Sequence, residues 1–475
     1  MLAKYGSIQL LGRFLPGLIG FVVAAGLTRF LTPEQYGIYG LCAALSQLVS
    51  LAVFGWLGLS ITRMGTGRTG DPRFANSVLA VFAALSAVAG LAGGAALFLP
   101  LPAGIALVAP AVVAGGIVLA YLDVASSFLT AALDFTGFLM LNLMRAATGA
   151  ALVFAAAYLV GKGLAVFFCS LAATTVVCLL FPRGIRFARA SGVDRQIVGR
   201  LLSFGIPIAG SLCLFSLSAW SDRLILGIDA GIAAVGFYTA ATVLVQNSLQ
   251  LVAQAIGSAA YPLAVLAYET GNRVASDRQL EQNFIALLGV LLPGAIGLSL
   301  LAPNIVTILV APGYRQAVVG LTPLLAAAAV IAGMRSNFVD RAFQLTGSTG
   351  HYFWIAADMA AVNLAGLLLL VPRYGYRGAG AAVVLTECAG LVHGLLAARR
   401  VYRLPFPARD AAKLAAATLI MALALMPFTR FSGMAAVAGQ VLLGLVVYAA
   451  GLWSLNLLNL RRTTTSMLLR WLTVR

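Results

Sequence analysis

Charged residues are so sparse in this sequence that they divide it almost by themselves. Fourteen apolar runs of roughly membrane-spanning length follow one another, and no connecting stretch exceeds about 20 residues. The runs fall near 7–31, 37–62, 74–99, 103–131, 138–160, 164–181, 201–226, 235–263, 283–301, 317–345, 352–371, 378–398, 412–428 and 434–457. A hydrocarbon core about 30 Å thick takes about 20 helical residues, and longer runs span with some tilt. Inside a bilayer the backbone must satisfy its own hydrogen bonds, so runs this long without alternation read as helices. The fold class expected is all-α and polytopic, with about 14 transmembrane helices.

Composition excludes the other classes. Only 9% of the 475 residues are charged and 61% are hydrophobic, whereas a soluble domain carries about 25% charged residues. The net charge of +17 would suit nucleic acid only on a soluble basic domain, and loops this short leave no room for one. They leave no room for an extramembrane catalytic domain either. Cys42, Cys169, Cys178, Cys213 and Cys388 all lie inside apolar runs without CxxC spacing or a histidine cluster, so they read as small core residues. Neither a disulfide framework, a metal site nor any other cofactor is implied. The first run is too long for a cleavable signal peptide and is expected to be the first span.

The positive charge is instead read as topology. With both termini on the cytoplasmic side, 20 Lys and Arg residues fall inside, 6 outside and 5 within spans, and that bias sets the orientation. Arg195 and Arg403 then lie in cytoplasmic loops, and Lys162 and Arg373 outside.

The chain also repeats itself. LTRFLTPEQYGIYGLCAALSQ is echoed by SDRLILGIDAGIAAVGFYTAATVLVQ, which places Tyr39 on Tyr238 and Gln47 on Gln246. A second echo aligns the FTG ending at Gly137 with the STG ending at Gly350 and sets Arg145 against Asp358. Both imply one division in the same orientation: an N-terminal lobe over 1–190 (helices 1–6) and a C-terminal lobe over 191–400 (helices 7–12). Two further helices and a basic cytoplasmic tail occupy 401–475. Transporters are often built as two related bundles with the substrate where they meet.

At LTPEQYGIYG, then at WSDRLILGIDAGIAAVGFYTAA and VPRYGYRGAGAAVVLTE, the sequence resembles the polysaccharide and O-antigen flippases of the multidrug/oligosaccharidyl-lipid/polysaccharide exporter superfamily. The likeness runs over nearly the whole chain. It implies two lobes around a cavity that opens alternately to each face. The implied substrate is a polyprenyl-diphosphate-linked oligosaccharide moved across the bacterial cytoplasmic (inner) membrane for lipopolysaccharide or exopolysaccharide synthesis. A polysaccharide polymerase is the partner such a reading implies.

Candidate site residues follow from which polar groups sit inside spans. On helix 1, Gln9, Arg13, Gly17 and Gly20 share a face, with Pro16 beside them. Arg13 suits a diphosphate, or else it snorkels to headgroups. Asp123 and Arg145 lie equally far from the turn between helices 4 and 5, and Arg335 and Asp358 do the same between helices 10 and 11. Two intramembrane ion pairs are therefore expected, either structural or releasing Arg145 and Arg335 to bind substrate. Gln246, Gln250, Gln254 and Ser258 form a neutral stripe on helix 8, suited to sugar hydroxyls or to interhelical hydrogen bonds, with Gln47 its counterpart on helix 2. Glu387 and His393 on helix 12 are candidates for proton coupling, although six residues apart they lie on different faces.

Two other functions compete. A drug or cation antiporter of the same superfamily would be expected to carry an acid on helix 1 or deep in a lobe for ion coupling, and helix 1 has only Arg13. A polysaccharide polymerase or ligase would need a long outer loop, and every outer loop here is short.

Overall fold

The computed structural model describes residues 2–65, 68–95, 103–181, 192–348 and 350–456; the side chains of 2–10, 103–107, 259–263, Arg13 and Pro207 lie outside that description. Its described residues form fourteen helices and no strand. The first seven are α1 (Leu2–Phe30), α2 (Pro33–Met64), α3 (Pro72–Ala95), α4 (Ala103–Ala131), α5 (Phe135–Leu159), α6 (Gly163–Leu180) and α7 (Arg195–Asp229). There follow α8 (232–269), α9 (Arg273–Leu309), α10 (Pro312–Thr346), α11 (His351–Tyr374), α12 (Tyr376–Val401), α13 (Ala408–Leu425) and α14 (Met434–Ser454). Thirteen are long and apolar enough to cross a membrane, and the apolar part of α1, Phe14–Phe30, is shorter. The protein is thus an all-α multi-pass membrane protein.

The helix ends show why the chain breaks where it does. Thr32 caps α2 by accepting from the amide of Gln35 at 3.4 Å, and Pro33 takes the first helical position, where no N–H is needed. The cap is one-sided, because the Gln35 side chain does not reach back to Thr32. Gln35 sends its side-chain oxygen across to the amide of Gly163 at 2.8 Å, and so caps the start of α6 instead. Several of the few acids serve as caps too: Asp134 accepts from Gly137 at 2.8 Å and Asp194 from Gln196 at 2.8 Å. Cys213 departs from the core reading of the cysteines, since it is exposed on α7.

Three long helices widen locally into a π turn: α2 at Ser50–Phe54, α8 at Thr242–Asn247 and α10 at Arg335–Val339. Such turns skip the usual hydrogen-bond step and tend to occur at functional positions.

Contacts cluster into two compact units. One comprises Met1–Val243 with Gly350–Ala389, the other Leu244–Thr349 with Gly390–Arg475, so the division falls inside the π turn of α8 and within α12. In the first unit, Trp56, Leu57, Phe74, Val124, Phe128 and Leu201 join α2, α3, α4 and α7 in one core. A second core, with Leu122, Leu129, Phe138, Leu141 and Val177, joins α4, α5 and α6. In the second unit, Asn304 and Gln440 are buried and tie α9 to the α13–α14 hairpin. Asn304 donates to Phe431 O at 2.9 Å, and Gln440 donates to Phe428 O at 2.6 Å.

One close helix crossing within the first unit obeys the repeat. A Cβ on Gly37 would stand 2.0 Å from the carbonyl oxygen of Ile232, and one on Gly236 would stand 2.0 Å from that of Pro33. A Cβ on Gly40 would meet Thr239 Oγ1 at 2.5 Å. Gly37 and Gly236, Pro33 and Ile232, and Gly40 and Thr239 are each 199 positions apart, as are Tyr39 and Tyr238. The beginnings of α2 and α8 therefore cross about a local two-fold axis passing between Gly40 and Thr239. The PEQYGIYG motif is thereby explained, because only glycine lets two helix backbones approach this closely.

Candidate functional site

The described intramembrane charges of the first unit behave in two opposite ways. Asp222 and Arg223 on α7 are 4% and 5% exposed, and they are paired with each other. The Arg223 guanidinium reaches Asp222 Oδ1 at 2.9 Å and lies 5.3 Å from the ring centroids of both Trp220 and Tyr238. Next to them, Ser221 donates to Asn363 on α11 at 3.2 Å. Held by a carboxylate and flanked by two aromatic faces, this cation anchors α7 against α8.

Arg145 is the reverse case. It stands on α5, about 15 Å from the Asp134 turn by helical rise, in the electrostatic field of Asp123 on α4, Cys178 on α6 and Tyr39 on α2. Its side chain makes no hydrogen bond with any described residue, and its Nε is buried without a partner. Asp123 accepts one contact, from Ser50 Oγ at 3.5 Å on the π turn of α2. It is nonetheless exposed, although it lies about 12 Å along α4 from that same turn and is surrounded by groups from α2, α5 and α6. The space Asp123 opens onto is therefore bordered by α2, α5 and α6. Ser127, one turn along α4, extends the polar face toward the α4–α5 turn.

The structure brings Asp123 and Arg145 together, as their equal distance from the turn suggests, into mutual Coulombic range and short of a direct ion pair. Sequence reasoning did not associate Tyr39, Ser50 or Cys178 with them. Tyr39 carried one signal, its place in the repeat; Ser50 carried none.

The remaining candidates are distributed. Arg13 and Gln9 lie on α1, with side chains outside the described residues. Gln47 is half-buried on α2 and Gln246 half-buried in the π turn of α8, each two helical turns beyond its residue at the two-fold crossing. Gln250 donates to Ala329 O at 3.3 Å, which joins α8 to α10 in the second unit, and Gln254 and Ser258 are exposed. Arg335 reaches Asp340 at 3.3 Å across the π turn of α10. Asp358 stands on α11 in the first unit, whereas Arg335 belongs to the second. Glu387 and His393 are half-buried on α12, on either side of the division between the units.

Thirteen apolar spans with polar and charged side chains buried between helices define a polytopic helical membrane protein. The chain belongs to the polysaccharide biosynthesis protein family, which it matches over residues 27–319. Its fold is similar to that of the lipid II flippase MurJ, with a TM-score of 0.75 at 13% identity over 93% of this chain and 96% of that one. It is also similar to a multidrug resistance transporter of the MATE family (TM-score 0.57, 15% identity, 84% and 95% covered). A superfamily transporter from Pyrococcus furiosus, described as having a binding pocket of reverse polarity, gives 0.54 at 17% identity over 85% and 95%. In sequence, the chain is 26% identical over 220 residues to an uncharacterized membrane protein of Methanocaldococcus jannaschii. That match spans 44% of this chain and 40% of its relative.

Proposed function

We propose that this transporter is a flippase that carries a polyprenyl-diphosphate-linked oligosaccharide across the bacterial inner membrane by alternating access, in the synthesis of lipopolysaccharide or exopolysaccharide. The observation that carries the reading is membership of the polysaccharide biosynthesis family by a chain that folds as a multi-pass transporter. The lobes are helices 1–6 and 7–12, with both termini cytoplasmic, as the charge bias favours. Arg13 holds the diphosphate, and the unengaged amides of Gln47, Gln246 and Gln254 face sugar hydroxyls. Glu387 or His393 couples the cycle to protons, and a polysaccharide polymerase takes up the product.

Support for an anionic substrate comes from α1, whose charged residues, Lys4, Arg13 and Arg29, are all basic. A drug antiporter is the second reading, favoured by the fold it shares with the MATE transporter. The test is deletion of the gene followed by leaflet-specific labelling of lipid-linked oligosaccharide. The flippase reading expects the oligosaccharide to accumulate on the cytoplasmic leaflet, with complementation restoring export. An unchanged leaflet distribution would refute it.

A further inference from the structure

We infer that the chamber between α2, α4, α5 and α6 is a binding site for uncharged sugar hydroxyls, in which Asp123 and Arg145 together grip one pyranose edge. The inference rests on the flippase reading and adds which part of the substrate this chamber takes.

Asp123 and Arg145 both carry unspent hydrogen-bonding capacity. A guanidinium has five donors and no acceptor, and a carboxylate only accepts. Here both lie in one interior space, neither bonded to the other: Arg145 makes no hydrogen bond with a described residue, and Asp123 has one contact at 3.5 Å. Leaving such groups unpaired inside a membrane protein is costly, and two groups that only held a hairpin together would close on each other. Held short of contact, they match a ligand that donates to one and accepts from the other. A hydroxyl does both, and neighbouring hydroxyls on a pyranose offer the two functions side by side. The Tyr39 hydroxyl, which also makes no hydrogen bond with a described residue, and Ser50 can each do the same from α2.

Charge decides against the diphosphate. Among the described residues the chamber is neutral, one carboxylate beside one guanidinium, and the cation acting on Asp123 is Arg145. A diphosphate drawn to Arg145 would meet the Asp123 carboxylate at close range, where the low dielectric makes like-charge repulsion severe. Neutral hydroxyls meet no such opposition.

The test uses the full chain in nanodiscs, with saturation-transfer NMR. The probes are the methyl pyranosides of glucose, galactose and N-acetylglucosamine, fully O-methylated methyl glucoside, and inorganic pyrophosphate. At least one free glycoside is expected to bind saturably, and the O-methylated one, which has no donors, is not. Asp123→Asn and Arg145→Lys should each weaken glycoside binding about tenfold or more, since each removes or misplaces hydrogen bonds to a charged group. Arg145→Lys keeps the charge and the fold, so the result stands even if Asp123→Asn fails to accumulate. No glycoside binding by the wild-type protein, or binding unchanged in both variants, would overturn the proposal and leave a hydrated structural pair. Pyrophosphate binding that is lost in Arg145→Lys and strengthened in Asp123→Asn would overturn it in favour of a phosphate site. These readouts are independent of leaflet labelling, so failure of the flippase reading and failure of the sugar site are seen separately.

Discussion

Placing a single methyl group on Gly37 should pry open the α2–α8 crossing. The added carbon would stand 2.0 Å from Ile232 O, whereas ordinary contact begins at 3.4 Å, so the helices must part there by roughly 1.4 Å. The obstacle is a backbone carbonyl inside a helix, which cannot rotate away as a side-chain tip would. A gap of only 0.5–1 Å already forfeits a quarter to a half of a dispersion contact, and overpacking typically costs about 1–3 kcal/mol. Taking about 2 kcal/mol gives a fall in apparent melting temperature of about 2 °C for a chain of 475 residues that melts as one unit. Gly236→Ala should act alike, since it forces the same separation from the other side. Because one displacement relieves both clashes, the double variant should cost clearly less than the two single costs combined. Gly90→Ala is the internal control, because nothing lies within 4 Å of its Cβ; there the better helix propensity of alanine should leave stability unchanged or raised by up to about 1 kcal/mol. Melting of the purified variants in one detergent or nanodisc, with size-exclusion profiles, measures all four. Gly37→Ala melting with the wild type, or fully additive costs in the double variant, would refute the two-fold crossing as a shared constraint.

Other outcomes can be checked singly. Reporter fusions after Arg195 and Arg403 should read cytoplasmic and fusions near Lys162 and Arg373 external; a reversal at either pair overturns the orientation. Arg223→Gln leaves Asp222 as a buried charge without its counter-ion, so it should lose about 3–5 kcal/mol and most of the folded yield, read as the monodisperse fraction after solubilisation. Gln440→Leu removes the donor to the Phe428 and Phe431 carbonyls and should speed protease cutting between α13 and α14, with cleavage at the wild-type rate counting against that role. Arg13→Ala should abolish oligosaccharide export at normal protein level, and Arg13→Lys should keep part of it; full export by the alanine variant removes Arg13 from the diphosphate site.

The spans were legible because a bilayer asks little beyond length and apolarity. The run placed at 103–131 coincides with Ala103–Ala131, and most others differ only by a few residues of polar helix reaching beyond the hydrocarbon. Asp123 and Arg145 could be brought together by counting from their shared turn, since an antiparallel hairpin fixes depth. What the sequence could not show depends on partners far away along the chain. Gln35 caps a helix 128 positions further on, and nothing near Thr32 signals it. The π turn that carries Ser50 has no propensity signature, so the hydroxyl nearest Asp123 was invisible. Arg223 and Arg145 look alike as sequence, and only their surroundings separate a cation enclosed by rings and a carboxylate from one left open.

The crossing at Gly37 and Gly236 also bears on how such a chain can arise and drift. In a homodimer of half-length subunits, one glycine codon would supply both sides of the contact, and a single mutation would damage both at once. Once duplication and fusion place the halves in one gene, each glycine mutates alone, yet losing either one parts the same two helices. Selection therefore holds both codons, while the segments beyond the crossing are free to diverge. Here α2 has Gly40 where α8 has Thr239, and the two face each other across the axis without being identical.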